Sequence, residues 1–285
     1  QLTKEGITFT RIPSNTMGSP IYESIPDFIR KNTKLLFTTH ASNVSGEILN
    51  LEKLSEIAKE HHLLFGIDSA QTALSVPIHM ESLGIDFIGF TGHKSLHGPQ
   101  GIGCFIMSDA LKDVEPLISG GTGSLSHLEE VPSFLPDRFE AGTPNIPGIL
   151  GLKAGIEKTL EDQPYSQFEK AIEILHYFLE GLKPFHEDLR VLGPLHKESQ
   201  VPLVTLELLN EDASDLAYFL EEEADIYTRV GMHCAPHAHK VLGSGERGGL
   251  RFSFSHHNTK EEIDKALEAI ACYFKKGATN GTKAT

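Results

Sequence analysis

The sequence has few cysteines, a shortage of basic residues and no long hydrophobic run. Its 285 residues include 25 Lys and Arg against 39 Asp and Glu, a formal net charge of −14, which argues against nucleic acid or an anionic membrane as a partner. No apolar run approaches the roughly 20 residues of a membrane span, and the start shows no signal-peptide pattern. The three cysteines are far apart and odd in number, which favours free thiols in a reducing cytoplasm.

What is present is the composition of a globular protein, 39% hydrophobic and 22% charged. Apolar strand-like runs alternate with amphipathic helical segments in the first half, which predicts an α/β fold with a mainly parallel sheet wrapped by helices. Three strands of this sheet are predicted at residues 34–40, 63–68 and 85–90. The second half mixes strands and helices. We therefore predict a large domain at 1–162, a small C-terminal α+β domain at 163–276 and a disordered tail at 277–285.

The first residues read like the end of a helix rather than the start of a protein. There is no initiator methionine, Gly6 stands where a helix-terminating glycine would, and 7–12 has the pattern of a strand. We expect from this that the sequence begins inside a domain.

A lysine follows the third of these strands in a setting that is unusual for a solvated charge. Lys94 comes after the apolar run 85–90 and the residues Thr-Gly-His, and before a turn rich in glycine at 98–103. Lysine is strongly hydrated, and burial lowers its pKa, which suits a lysine that forms a Schiff base. The alternative is an ordinary surface lysine in a loop.

Two other predicted strands also end in polar residues. Asp68 closes the second strand and is followed by Gln71, while Asn43 lies in the loop after the first. Because ligands bind at the carboxyl ends of parallel strands, we expect these residues and Lys94 to converge on one cleft. Asp68 and Lys94 together suggest a heterocyclic cofactor, because a carboxylate that faces a pyridinium nitrogen keeps that nitrogen protonated. The side-chain amides of Gln71 and Asn43 would then hydrogen-bond an oxygen on the same ring. The alternatives are a helix N-cap for Asp68 and ordinary loop hydrogen bonds for the amides.

A second polar patch surrounds Cys234. The sequence Arg-Val-Gly-Met-His-Cys-Ala-Pro, which starts at Arg229, places the thiol in a loop from which it can swing into a cleft. The neighbouring His233 and the nearby Arg229 would favour the thiolate. The alternative is a small buried hydrophobic residue, which also suits Cys104 and Cys272.

The histidines around Cys234 raise the question of a metal site. The spacing of His233, His237 and His239 matches no established zinc pattern, and no second cluster supplies further ligands, so we predict no metal site. The glycine-rich run 120–124 lacks the Lys-Ser/Thr of a P-loop and is expected to line the cleft.

Four motifs occur in a fixed order along the chain. They are Ser42-Asn43-Val44-Ser45-Gly46, Asp68-Ser69-Ala70-Gln71, Thr91-Gly92-His93-Lys94 with the turn 98–103, and Arg138-Phe139-Glu140-Ala141-Gly142-Thr143-Pro144-Asn145. Together they resemble the class V aminotransferase family of pyridoxal-phosphate (PLP) enzymes, and within it the cysteine desulfurases and selenocysteine lyases, from about residue 1 to residue 275. The resemblance implies a fold type I PLP-transferase with helices on both faces of the sheet. The family has an amino-terminal stretch that this chain lacks.

The resemblance implies PLP as the cofactor and assigns seven residues to it. These are Asn43, Asp68, Gln71, Thr91, His93, Lys94 and Thr143. Lys94 would carry the cofactor, Asp68 would pair with its ring nitrogen, and the two amides would hold its ring oxygen. Thr91 and His93 resemble phosphate ligands. Thr143 resembles the residue that reaches the phosphate in the other subunit, which implies active sites at a homodimer interface.

The resemblance also implies a reaction. The segment around Cys234 resembles the one that carries the catalytic cysteine of the desulfurases, with His233 beside it. Lys94 would remove the α-proton of L-cysteine, and Cys234 would take the sulfur as a persulfide and leave L-alanine. A sulfur-acceptor protein would follow as a partner.

Two arginines resemble the residues that hold the substrate. Arg251 resembles the arginine that grips the substrate carboxylate, for which its planar fork is suited, and Arg229 resembles a second active-site arginine. The alternative for Arg251 is a surface salt bridge.

Two further hypotheses stay open. One is an aminotransferase or another lyase on the same scaffold in which Cys234 takes no part, because the segments 237–240 and 243–249 differ from the best-known desulfurases. The other is a non-catalytic fragment that retains a fold or a dimer surface but is too incomplete to hold PLP.

Overall fold

The computed structural model describes residues 2–125, 127, 129–194 and 199–281. The chain forms two compact units. Unit 1 consists of Gln1–Thr33, His40–Ile57 and Gln163–Thr285, and unit 2 consists of Lys34–Thr39 and Ala58–Asp162. The predicted boundary after residue 162 coincides with a boundary between the units, whereas two stretches of the predicted large domain fall in unit 1. The domain assignment for the complete protein stays a prediction.

Unit 2 is built on a four-stranded mixed sheet. Its strands, in spatial order, are β1 (Leu35–Thr39), β2 (Leu64–Asp68), β3 (Phe87–Thr91) and β4 (Gly103–Met107). The first three are parallel, in register with Thr39 beside Asp68 and Asp68 beside Gly89. β4 runs antiparallel to β3, because the short turn that joins them leaves no room for a crossover helix. The predicted parallel arrangement therefore holds for three strands, and the sheet as a whole is mixed.

Along the chain, α2 (Met80–Leu83) follows β2 and α3 (Ile146–Glu161) follows β4, both in unit 2. Helix α1 (Leu51–Glu60) lies between β1 and β2 in the sequence, and most of it belongs to unit 1. Asn145 caps the amino terminus of helix α3, since its side chain accepts a hydrogen bond from the Gly148 backbone, and the helix packs on the turn that follows β3. At Gly155 a Cβ would lie 2.3 Å from the Leu96 carbonyl oxygen, an approach that only glycine permits. Leu152 joins Leu96 in the small core beneath this turn. Helix α3 therefore holds the turn that carries Lys94.

Unit 1 contains an antiparallel sheet and most of the helices. Its strands, in the spatial order β5-β6-β8-β7, are β5 (Leu189–Leu192), β6 (Leu203–Leu208), β7 (Arg229–Gly231) and β8 (Gly249–Ser253). Its other helices are α4 (Pro164–Leu182), α5 (Ala213–Ala224), α6 (Pro236–Leu242) and α7 (Lys260–Gly281). The main core is formed by apolar side chains of α4, α5, α7 and the sheet, with Phe178, Leu206 and Ile270 fully buried.

The two ends of the chain differ from the predictions in detail. A 3-10 helix, Leu2–Glu5, ends at Gly6 with a φ of +79°, but the predicted strand at 7–12 does not form. Tyr22–Phe28 forms a 3-10 helix, because Pro26 has no N–H to continue an α-helix. At the other end α7 continues to Gly281, into the tail that was predicted to be disordered, and residues 282–285 lie outside the described residues.

Candidate active site

In unit 2, Asp68 ends β2 at the edge of an open cavity of about 410 Å³. Its Oδ1 accepts a hydrogen bond from the Ala70 backbone at 2.8 Å, so one oxygen caps the following turn, as the alternative interpretation held. In the described part of the chain nothing hydrogen-bonds its Oδ2. Gly89, beside Asp68 in the sheet, has open space where a Cβ would point. The second carboxylate oxygen is thus available to a ligand.

The other walls of this cavity are aromatic. Phe37, Phe87 and Phe105 project from three strands, with ring centroids 5.8 and 5.5 Å apart along the row. The Phe87 ring covers Gly66, where a Cβ would lie 2.1 Å from it. Small-molecule sites typically measure roughly 300–1,000 Å³ and combine apolar walls with few polar groups. The cavity therefore suits a flat heterocycle that presents one cationic nitrogen to Asp68.

Thr91 and His93 form a polar pair beside this cavity. Thr91 Oγ1 lies 2.7 Å from His93 Nδ1, and Thr91 also lines the cavity. Lys94 follows in a turn closed by a hydrogen bond from the His97 backbone to the Lys94 carbonyl at 3.0 Å. The Lys94 side chain is exposed, unlike the buried setting that the sequence suggested. These residues fit PLP, since the carboxylate suits its ring nitrogen, the hydroxyl and imidazole its phosphate, and the amine its aldehyde.

The contacts of Gln71 and Thr143, the other two predicted cofactor residues of unit 2, say less about a role at the cofactor. Gln71 is half-buried in the turn after β2, and its side chain hydrogen-bonds no other described residue. Thr143 is exposed just before α3 and lines an open concavity of about 740 Å³ together with the glycine-rich run at 120–123. Glu129 and Glu130 line the same concavity, and their carboxylates would repel a phosphate within this subunit. The roles of both residues stay predictions.

In unit 1, Cys234 lies in a strained turn between β7 and α6. His233 and Cys234 have φ values of +49° and +61°, a left-handed conformation that costs non-glycine residues roughly 1–2 kcal/mol each. The His233 carbonyl accepts a hydrogen bond from Asn43 Nδ2 at 2.6 Å. The turn leaves Cys234 exposed, with its Sγ 3.7 Å from Arg229 Nη2. The thiol thus lies at hydrogen-bonding distance from a cationic side chain.

The two predicted substrate arginines face each other across neighbouring strands. Arg229 on β7 is in register with Arg251 on β8, and like charges in this position destabilise a sheet. Arg251 Nη1 donates to the Asn43 carbonyl at 3.2 Å, and its buried Nε has no hydrogen-bond partner among the described residues. Neither arginine forms an ion pair within the described ranges. Burial and the positive charge of Arg229 lower the pKa of Arg251, whereas the nearby Cys234 raises it. The pair is therefore suited to bind an anion.

His233 lies in the interior rather than beside the thiol. Its side chain is 2% exposed and packs next to His239, whereas Cys234 is exposed. Burial of the ring is the main cause that lowers the pKa of His233 to about 4, and the nearby Arg251, His239 and Arg229 act in the same direction. The Gly249 backbone has a smaller effect that raises this pKa. His233 is thus neutral at neutral pH, and its predicted catalytic role is not tested by this placement.

The sequence interpretation missed two features of this site. It considered His239 only as a metal ligand, although the structure buries this residue fully in α6. It also assigned Asn43 to the cofactor, whereas the Asn43 side chain and carbonyl connect the Cys234 turn with Arg251. The proline at the first position of α6 was a sequence signal for this helix. Across the described residues no group of three or more His, Cys, Asp or Glu side chains is placed to hold a metal ion.

Two buried histidines predict how stability depends on pH. Burial lowers the pKa of His40 to about 4, as for His233, from the ordinary value of 6.5. The unfolded chain therefore binds more protons between pH 6.5 and 4, and each residue stabilises the fold above this window by up to about 3 kcal/mol, which is lost as the pH falls through it. We expect the free energy of unfolding in urea to fall from pH 7 to pH 4.

The variant His40→Gln isolates one of these groups. It removes the titration of His40 and leaves the carboxylates unchanged, so we expect a shallower decline in stability between pH 6.5 and 4. An equally steep decline in the variant would contradict the assignment.

The chain belongs to the class V aminotransferase family. Its sequence matches the family described as Aminotransferase class-V over residues 1–266, and this family is PLP-dependent. The family predicted from the order of the motifs is thus confirmed. None of the described helices combines the length and apolar character that crossing a membrane requires.

Relatives within this family include cysteine desulfurases. The chain is 35% identical over 276 residues to a probable cysteine desulfurase of Halalkalibacterium halodurans and 32% identical over 265 residues to a cysteine desulfurase of Escherichia coli O139:H28. These matches cover 94% and 91% of this chain but 66% and 63% of the relatives. The chain therefore spans about two thirds of the length of the curated relatives it matches.

Solved structures agree with the sequence comparison. The apo structure of a cysteine desulfurase from Thermococcus onnurineus NA1 superposes with a TM-score of 0.85 at 31% identity, covering 96% of this chain and 68% of that one. A cysteine desulfurase from Escherichia coli superposes with a TM-score of 0.84 at 27% identity, covering 93% and 65%. The α/β architecture is thus that of part of a cysteine desulfurase.

Proposed function

We propose that the complete protein is a PLP-dependent cysteine desulfurase, which converts L-cysteine to L-alanine and binds the released sulfur as a persulfide on Cys234. The observation that carries the proposal is the arrangement in unit 1. An exposed thiol lies 3.7 Å from the Arg229 guanidinium, and Arg251 beside it has no acidic partner among the described residues. A cysteine nucleophile next to an anion-binding pair is suited to the removal of sulfur from an amino acid. The similarity to relatives named cysteine desulfurases supports this choice.

PLP, when bound, supplies an electron sink at the α-carbon of the substrate. The Asp68 carboxylate would hold the proton on the ring nitrogen, and the Thr91 hydroxyl with His93 would bind the phosphate. Gln71 and Asn43 would hydrogen-bond the ring oxygen. Within unit 1 the Asn43 carbonyl and Nδ2 are engaged in hydrogen bonds.

Lys94 would hold the cofactor through its amine and then move the α-proton, since an exposed lysine on a fixed turn can reach both. Arg251 and Arg229 would bind the substrate carboxylate. The Cys234 thiolate attacks the substrate sulfur, so that the S–S bond forms as the bond between the sulfur and the β-carbon breaks. The β-carbon then accepts a proton and becomes the methyl group of alanine.

The assembly follows from the same proposal. We infer that the complete protein has the type I PLP-transferase fold with helices on both faces of the sheet. It forms a homodimer in which Thr143 reaches the phosphate of the partner's site. A sulfur-acceptor protein takes the sulfur from the exposed Cys234. The described cysteines are exposed free thiols, which suits the reducing cytoplasm.

The test uses the full-length protein loaded with PLP and supplied with L-cysteine and a reducing thiol. We expect alanine and sulfide in equal amounts. 3-Mercaptopyruvate without sulfide would identify an aminotransferase, and pyruvate with sulfide and ammonia would identify another lyase. The absence of a PLP absorbance band would identify a non-catalytic protein.

Arg251→Lys tests the anion-binding pair. The variant keeps the positive charge but loses the planar fork, so the charge-assisted hydrogen bonds to the carboxylate weaken by about 1.5–3 kcal/mol. We expect the KM for L-cysteine to rise about ten- to hundredfold with little change in kcat. Arg190→Lys, in β5 of the same sheet, is the matched control and leaves KM unchanged. An unchanged KM in Arg251→Lys would assign the carboxylate to another residue.

A further inference from the structure

The Cys234 turn is anchored by a pair of buried imidazoles. His233 and His239 are 2% and 0% exposed, and their ring centroids lie 5.6 Å apart at an interplanar angle of 43°. His239 lies in α6, the helix that begins two residues after Cys234. The two rings therefore tie the strained turn to the helix that follows it.

One tautomer of His239 satisfies both of its contacts with the Ser244 hydroxyl. Ser244 Oγ lies 2.7 Å from His239 Nδ1 and 3.4 Å from the His239 carbonyl oxygen. A hydroxyl has one proton, so if Ser244 donates to the carbonyl it accepts from Nδ1–H. His239 Nε2 then carries a lone pair and no proton. This atom is buried and has no hydrogen-bond partner among the described residues.

His233 offers the complementary group. Both of its ring nitrogens are buried, and neither meets hydrogen-bond geometry with a described residue; the Gly249 backbone is near enough only to raise the pKa of His233 slightly. The positive charges of Arg229 and Arg251 favour the neutral ring, in which one nitrogen donates and the other accepts. A buried donor and a buried acceptor each cost free energy when left unpaired. Neighbouring rings with one of each can satisfy both through a buried water.

We propose that His239 is a positioning residue for Cys234, because its Nε2 accepts the N–H of His233 through one buried water and thereby holds the left-handed turn that presents the thiol to Arg229. The functional meaning of this contact rests on the proposed role of Cys234. When the contact is lost, the strained turn relaxes and the thiol leaves the guanidinium.

The test measures the alkylation of Cys234 by iodoacetamide against pH, in the full-length protein with Cys234 as its only cysteine. His239→Leu removes the acceptor, His239→Gln returns a side-chain oxygen close to the position of Nε2, and His237→Leu is a matched control on the same helix. We expect His239→Leu to lower the rate at pH 8 about tenfold and to raise the pH at which the thiolate forms. His239→Gln recovers most of both, and His237→Leu leaves both unchanged.

If the alkylation rate of Cys234 depends on pH in the same way in His239→Leu as in the parent, the proposal is overturned. An equal loss of alkylation rate in His239→Leu and His239→Gln also overturns it, because that result would mean only that α6 is disturbed. If the Leu variant does not fold, nitrogen NMR of the parent decides, because the proposal requires the Nδ1–H tautomer of His239 and an Nε2–H tautomer overturns it. Alkylation needs neither PLP nor L-cysteine. A failure of desulfurase activity would therefore refute the proposed function and leave this inference standing, and the reverse also holds.

Discussion

Lys94→Ala will abolish the visible absorbance band that the full-length protein acquires with PLP. The band depends on the covalent bond between a lysine amine and the aldehyde of the cofactor. Lys94 follows Thr91 and His93 on a turn held by α3, and it is the lysine of the motif that resembles the family's cofactor lysine. Spectral titration with PLP measures the effect. We expect no band at any concentration, together with loss of cysteine-dependent activity.

Lys153→Ala provides the control for Lys94→Ala. Lys153 is also exposed and also in unit 2, but it lies on α3 in an ion pair with Glu157 at 3.6 Å. Its removal costs little because exposed pairs of this kind contribute only about 0–1 kcal/mol. The band should be retained. A band of full intensity in Lys94→Ala would assign the cofactor to another lysine, and no band in the parent protein would favour a non-catalytic protein.

Cys234→Ala will lower cysteine-dependent sulfide release by at least about a thousandfold, as the loss of a nucleophile does in other enzymes. The reason is chemical, since no other described thiol has an arginine at hydrogen-bonding distance. The PLP band should stay, because the cofactor residues of unit 2 are unchanged. Sulfide release and the absorbance spectrum are measured on the same sample.

Two other exposed thiols serve as controls for Cys234→Ala. Cys104 lies in β4, where partial desolvation of its exposed thiol, and secondarily Glu140, raises the pKa of that thiol. Cys272 lies in α7. Cys104→Ser and Cys272→Ser should leave the rate unchanged. Sulfide release that survives in Cys234→Ala would eliminate the persulfide mechanism and favour another lyase on this scaffold.

Much of the fold was accessible from the sequence because it depends on local patterns. The apolar run before Asp68 predicted β2 within one residue, and the run before Lys94 predicted β3 within two. The motif order predicted the family. Helix α6 escaped because it is short, and the strand at 7–12 failed because a strand needs a pairing partner that a local pattern does not supply.

The sequence by itself determined which residue types are available: a lysine after a strand, an acid at a strand end, and a thiol near an arginine. Only the tertiary structure decided how they are used. It placed Arg251 opposite Arg229, turned His233 inward while leaving Cys234 exposed, and joined His239 to the same turn. Strand register and burial are set by contacts between distant segments, and neighbouring residues on a strained turn can point to opposite environments.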